Sequence, residues 1–314
     1  MTEQPHRLEE RIGELERGFS SYLAVYDERG PFRRAGQLEH HVATLRRWQE
    51  VGRDPIAAVR DEVFVRSLYQ TLRAWGIGVR SSRIRPLPDF WAALRSHEER
   101  FGALAETTIS DSDLLDRGIG ARVWELIERL DIIENEARLV ALTKTLHHIL
   151  PRLVVPIDRA YTGRFFGWSP VVMQTRQHQR FTEMFAVFNR LAQAVDLDSE
   201  VGDGWRMSPA KLIDNAIVAY CMTELPMPDA APKRRAGKYV PLRELLSRSA
   251  GTVELSFAEL DELVEGLPPS ARNYREWWAN ATRNPQAHAW LDAGKKVTIV
   301  NLSRERVRFT PMAS

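Results

Sequence analysis

Asp158 stands where an apolar run, residues 153–157 (Leu-Val-Val-Pro-Ile), gives way to a helical pattern over 158–168. Val154, Val155 and Ile157 are β-branched and Pro156 disfavours helix at Val155, so the backbone is predicted to stay extended up to Asp158. As N-cap of the following helix, the carboxylate would be held over free backbone N–H groups and favoured as an anion by the helix dipole. Capping alone accounts for an aspartate here, but a fixed anion is also what a reaction that builds positive charge requires. The preceding stretch, 141–151, has Leu142, Leu146, Ile149 and Leu150 at helical spacing and ends at Pro151, which puts Lys144 in a helix fourteen positions before Asp158. A deprotonated lysine can add to a sugar carbon and form a Schiff base, provided burial or a neighbouring cation lowers its pKa. Lys144 is the first lysine of a chain whose 44 basic residues are almost all arginine. Because arginine keeps its proton, a lysine retained at this position points to a chemical or steric demand. His147 and His148 share or border the face of Lys144 and are candidates to assist it; the simpler reading has one packed and the other solvated.

A lysine-bearing helix, a short loop, Val-Pro-Ile-Asp and a second helix, in that order, resemble the helix-hairpin-helix DNA glycosylases, whose signature ends in a loop aspartate after a Val-Pro-Val-like run. The resemblance implies a mainly α protein that flips a damaged or modified base out of double-stranded DNA and breaks its N-glycosidic bond. It implies Asp158 as the catalytic carboxylate that stabilises the oxocarbenium-like sugar, and Lys144 either as nucleophile at C1′, as in those members that also cleave the strand, or as a cation that positions the substrate. Arg159 and Tyr161 would line the cleft or contact a backbone phosphate. The base would be alkylated, oxidised, deaminated or a hypermodified base of phage DNA, so the expected setting is DNA repair or phage defence in a bacterium. Two other readings stay open: a non-catalytic nucleic-acid-binding protein on a glycosylase scaffold, and a helical interaction protein in which Asp158 is only a cap.

Composition sets the outer limits. A chain of 314 residues, 44% hydrophobic and 27% charged, is a soluble globular protein of about two domains. No run of about 18 apolar residues occurs, and the first ten residues are charged rather than signal-like, so a cytoplasmic protein without membrane contact is expected. Cys221 is the only cysteine, which excludes internal disulfides and a four-cysteine cluster; no metal motif and no cofactor are expected. The net charge of +2 is too small for a general polyanion binder, so a DNA footprint must come from local clustering.

Three regions follow from the pattern. Residues 1–228 read as an all-helical, glycosylase-like domain, with helices expected over 8–20, 35–50, 55–75, 90–101, 114–130, 135–150, 158–168 and 181–194, and a last one opened by Ser208-Pro209. The glycine-rich stretch 76–86 offers Arg80, Arg83 and Arg85 to phosphates, or is a solvated turn. Residues 229–237 read as a basic, proline-containing linker. Residues 238–314 read as a small α/β module with a short strand over 253–257 and a hairpin over 296–309, and resemble a short module of uncharacterised bacterial proteins. Within it Arg272, Tyr274, Arg275, Trp277, Trp278 and Asn280 crowd one stretch. Arginine interleaved with aromatics suits contact with nucleic acid, against the alternative that the tryptophans pin helix to sheet and Asn280 ends the helix.

Overall fold

The computed structural model describes residues 3–312 except 33, 35, 79–82, 135–137, 169–172, 174–175, 226–236, 265 and 283. The chain divides into two compact units, Met1–Met227 and Pro228–Ser314; the first is helical and the second is a small α/β unit, a mainly α protein in sum. The stretch read as a linker lies almost wholly outside the described residues. Among the described residues no helix is long and apolar enough to cross a membrane.

The first unit contains α1 (Glu3–Arg29), α2 (Gln37–Glu50), α3 (Pro55–Arg60), α4 (Glu62–Ala74), α5 (Leu87–Arg95), α6 (Glu98–Gly102), α7 (Ile119–Arg129), α8 (Arg138–Ile149), α9 (Tyr161–Phe165), α10 (Gln177–Ala194), α11 (Leu197–Glu200) and α12 (Pro209–Thr223). Most are amphipathic: on α1, Ile12, Leu15, Phe19 and Leu23 form one buried stripe at three- and four-residue spacing. Two are not. Every residue of α12 from Ala210 to Cys221 is buried, and on α8 nine residues between Leu139 and Ile149 are buried on all sides of the helix. These two helices form the centre of the unit, and they carry Lys211 and Lys144.

Where polar side chains compete for backbone donors, the helices are shorter than hydrophobic period alone predicts. The pattern over 55–75 breaks at Asp61, whose backbone is extended (φ −83°, ψ 120°) while its Oδ1 accepts from Phe64 N at 2.7 Å, ending α3 and capping α4. Arg47 holds the same carboxylate through Nε and Nη2 at 2.9 and 2.7 Å. The 90–101 pattern is likewise two helices, α5 and α6, and the 114–130 pattern becomes helix only at Ile119, after Gly118 turns the chain at φ 64°.

In the second unit α13 (Val240–Arg248), β1 (Val253–Ser256), α14 (Phe257–Val264), α15 (Pro269–Asn273), α16 (His288–Leu291), β2 (Lys295–Asn301) and β3 (Arg306–Pro311) surround a core of Leu246, Phe257, Trp278, Trp290, Val307 and Phe309. The antiparallel sheet runs β1-β3-β2, with Val253 opposite Phe309, Val300 opposite Val307 and an irregularity between Val297 and Ile299. Asn280 does not end a helix. Its Oδ1 accepts from Val297 N (2.8 Å) and Trp290 Nε1 (2.9 Å) and its Nδ2 donates to Val297 O (2.8 Å), tying the loop to the edge strand.

The Arg47 hydrogen bonds first, and the backbone bond from Phe64 after them, hold the Asp61 carboxyl below the usual range against the opposing effect of burial. A carboxylate depressed in the folded state contributes stability above its unfolded pKa and loses it as pH falls through the folded value. Asp61→Ala is therefore expected to lower unfolding stability by about 1–2 kcal/mol near neutral pH, the range for a lost N-cap. Wild type and variant should converge below the carboxylate range; urea titrations at pH 7 and pH 3 that show an equal difference would refute the assignment.

Candidate active site

Residues 153–157 are extended and buried, yet no strand pairs with them. Their backbone groups turn to α8 instead: His147 Nδ1 donates to Val154 O at 2.9 Å, and Ile157 N donates to Thr143 Oγ1 at 3.3 Å. The residue before Asp158 is thus pinned to the residue before Lys144, which closes the fourteen-residue gap in sequence. Asp158 Oδ1 then accepts from Ala160 N (2.8 Å) and Tyr161 N (3.1 Å), while its own N–H meets Thr162 Oγ1 (3.1 Å). The cap anticipated from sequence is present, but a turn at 159–160 precedes α9, which runs five residues rather than reaching 168. Both cap bonds fall on Oδ1; among the described residues no hydrogen bond engages Oδ2.

Lys144 and Asp158 share the wall of one recess with Phe32, Gln37, Trp75, Pro156, Trp205, Lys211 and Asp214. The recess has about 330 Å³ of empty space, part of it open to solvent. Residues 1–227 contain two lysines, Lys144 and Lys211, and both border it.

Lys211 is 2% exposed and Asp214 5%. Lys211 Nζ donates to Asp214 Oδ2 at 2.5 Å and to Asn215 Oδ1 at 2.7 Å, and lies 5.2, 5.3 and 5.8 Å from the ring centres of Trp205, Tyr26 and Trp75. Such a pair is stable in a core only when each charge is partnered, and the aromatic faces supply what water otherwise would. Burial pushes the Asp214 carboxyl up, opposed by Lys211. Lys144 has no carboxylate within ion-pair distance among the described residues and rests 5.6 Å from the Trp75 centre. Burial lowers its pKa, with Asp158 and Asp214 opposing and Lys211 reinforcing.

Behind the recess lie three fully buried histidines. His148 Nδ1 meets Lys144 O at 2.8 Å; a carbonyl only accepts, so Nδ1 carries the proton and Nε2 accepts from His41 Nδ1 at 3.0 Å. His147 is held by Val154 O and lies 3.4 Å from Ser208 Oγ, so Ser208 faces this cluster and makes no side-chain cap to α12. Burial drives all three imidazoles down, His148 to about 4 and His41 and His147 well below their ordinary value. Neither His147 nor His148 borders the recess: both are packing residues that orient α8, and the reading of one of the pair as solvated is corrected.

The other residues marked from sequence are scattered. Arg159 is exposed beside Asp158, and Tyr161 is half-buried, edge-on to Phe32 at 6.2 Å. Arg85 is paired with Asp131 at 2.8 Å, Arg83 is exposed, and Arg80 lies outside the described residues. In the second unit Arg272 is locked between Asp261 and Glu305, and Trp278 is 2% exposed, its Nε1 bonded to Ala271 O and its ring stacked on Phe257 and Trp290. Trp278 therefore builds the core and offers no face to nucleic acid, a correction that follows from how few apolar residues so small a unit has; Arg275 and Tyr274 of that stretch are exposed. Among the described residues no group of three or more His, Cys, Asp or Glu is arranged to hold a metal ion. Cys221 is buried, its thiol pushed up to about 12 by burial, and is inert as a nucleophile. Sequence reasoning did not single out Phe32, Gln37, Trp75, Trp205, Lys211 or Asp214. The available signal was a Lys and an Asp three apart inside an otherwise apolar run.

Residues 239–311 match a domain of unknown function (DUF7662), which covers the α/β unit and leaves the recess outside it. No curated protein and no solved structure matches the chain.

The histidines give a measurable consequence. Their folded pKa values lie below the 6.5 or so of a free imidazole, so as pH falls below about 6.5 the unfolded chain takes up protons that the folded one refuses, and stability drops. Urea midpoints are expected to decline already between pH 6.5 and 5.5, above the carboxylate range. A flat profile in that window would show the cluster to be protonated or solvated in the folded state.

Proposed function

We propose that the first unit is a DNA N-glycosylase that acts on a damaged or modified base flipped out of duplex DNA. The observation that carries this reading is the convergence of an unpaired, pKa-lowered lysine and a capped carboxylate, Lys144 and Asp158, on one aromatic-walled recess. Cleavage sends the electron pair of the C1′–N bond to the departing base, which takes up a proton, and leaves positive charge on the sugar. Asp158 Oδ2 supplies the fixed negative charge for that state. The Lys144 amine then adds to C1′, and after loss of its proton and opening of the sugar a Schiff base remains, from which the 3′ phosphate can be eliminated. Arg159, exposed beside the recess, is suited to a backbone phosphate.

The test is release of base from duplexes carrying alkylated, oxidised and deaminated lesions and from hypermodified phage DNA, read as alkali-labile sites. Asp158→Asn keeps an acceptor at Oδ1 for both cap bonds and is expected to lower turnover by about a hundredfold or more with the fold intact, the scale for loss of a preorganised charge. No abasic sites across the whole panel would favour a non-catalytic binder on the same scaffold.

Borohydride should trap a covalent complex in wild type and not in Lys144→Gln. Because the Lys144 pKa is lowered, the trapped yield should rise with pH and level off before the ordinary lysine range near 10.5. Base release without any trapped adduct would remove Lys144 as nucleophile.

A further inference from the structure

We propose that Asp214, held by Lys211, is the residue that reads the base, and that the recess selects a base carrying an exocyclic amino group, an adenine or cytosine or a substituted form of either, over its keto counterpart. The inference rests on the glycosylase reading for its context but on different residues for its substance.

Asp214 lines the recess from inside α12, with Oδ2 taken by Lys211 and, among the described residues, no hydrogen bond on Oδ1. An ionised carboxylate only accepts, so the edge it presents matches an N–H donor and repels a carbonyl oxygen. The neighbouring donors are committed elsewhere. Lys211 spends two N–H groups on Asp214 and Asn215, and its ammonium is enclosed by the faces of Tyr26, Trp75 and Trp205. Gln37 accepts from Arg34 N at 3.0 Å and reaches Ala74 O at 3.4 Å; Asn215 Nδ2 holds Trp205 O at 2.8 Å. Lys144 belongs to the sugar. At Asp214 the wall therefore offers a base edge an acceptor.

Net charge does not decide the selection, because two lysines balance two aspartates around the recess and a cationic ring gains no general attraction. Hydrogen-bond matching decides it, and a buried acceptor left without a donor is what makes such sites discriminate. Trp75 and Trp205 stand 6.0 Å apart at 40°, closer than the roughly 7 Å a sandwiched ring needs, so no base enters between them.

The experiment uses the full chain and free bases, so that binding is read without catalysis. Adenine against hypoxanthine, and 5-methylcytosine against thymine, are titrated by ligand-observed NMR. The amino member of each pair is expected to bind about tenfold more tightly, a conservative value for one matched against one mismatched buried hydrogen bond. Asp214→Asn, which keeps an acceptor for Lys211 and can also donate, should reduce that ratio to near one; where this variant fails to fold by circular dichroism, the wild-type ratios decide. Equal affinities within both pairs, absence of binding by all four bases, or an unchanged ratio in folded Asp214→Asn overturns the assignment. Amino preference without base release from any duplex keeps Asp214 as reader and removes the glycosylase; base release without amino preference keeps the glycosylase and removes Asp214.

Discussion

The arrangement of the first unit hangs on an extended segment buried without a sheet to receive it. Residues 153–157 carry N–H and C=O groups into the core, where each one left unpaired costs about 1–3 kcal/mol. His147 and Thr143 of α8 take up Val154 O and Ile157 N, and in doing so fix where the segment ends relative to the helix. This accounts for one of the two threonines and one of the two histidines that the central helix carries in an apolar core. The Thr143 and Thr145 hydroxyls also donate to the carbonyls of Leu139 and Ala141 at 2.9 Å, so no hydroxyl on that helix is wasted in the core. Everything chemical in the unit follows from that stitching, because it brings the residue after Ile157 alongside the residue after Thr143.

Around the point so fixed, the core tolerates charge because charge is partnered there in graded fashion. Lys211 has a carboxylate, an amide and three aromatic faces; Lys144 has one indole and no ion pair among the described residues. Two identical side chains a few ångströms from one tryptophan are thereby given different tasks. The one without an ion pair is the one whose pKa burial lowers.

Local signals were legible in sequence and distant ones were not. The helix of Lys144, the extended 153–157 segment, the Asp158 cap, the opening of α12 at Ser208-Pro209 and the antiparallel hairpin of the second unit all follow from period, proline and β-branching within a dozen residues. The break at Asp61 escaped because hydrophobic period cannot register a side chain that prefers a backbone donor to another turn of helix, and the late start at Ile119 because it follows a left-handed turn at Gly118. Lys211 and Asp214 escaped for a different reason: an i, i+3 ion pair usually marks a solvated face, and only the burial of the whole of α12 turns it into a site. Trp75, Trp205 and Phe32 meet from three separate loops, which no window along the chain can show. Trp278 erred the other way, an aromatic read as a contact surface that a unit with one small sheet had to spend on its core.

A capping aspartate and a catalytic aspartate are commonly set against each other as readings, yet the geometry at Asp158 makes the first a condition of the second. α9 has five residues, too short for its dipole to hold an anion by itself, so the work is done by two discrete N–H groups on Oδ1. Those two bonds remove the rotational freedom of the carboxylate without occupying its second oxygen. A charge that is already oriented before a cation develops has no reorganisation left to undergo when it does, and that absence of reorganisation is where most electrostatic stabilisation of a transition state originates. On the glycosylase reading proposed above, the cap is the device by which a flexible side chain becomes a fixed electrode, and the recess beside it determines what that electrode acts on.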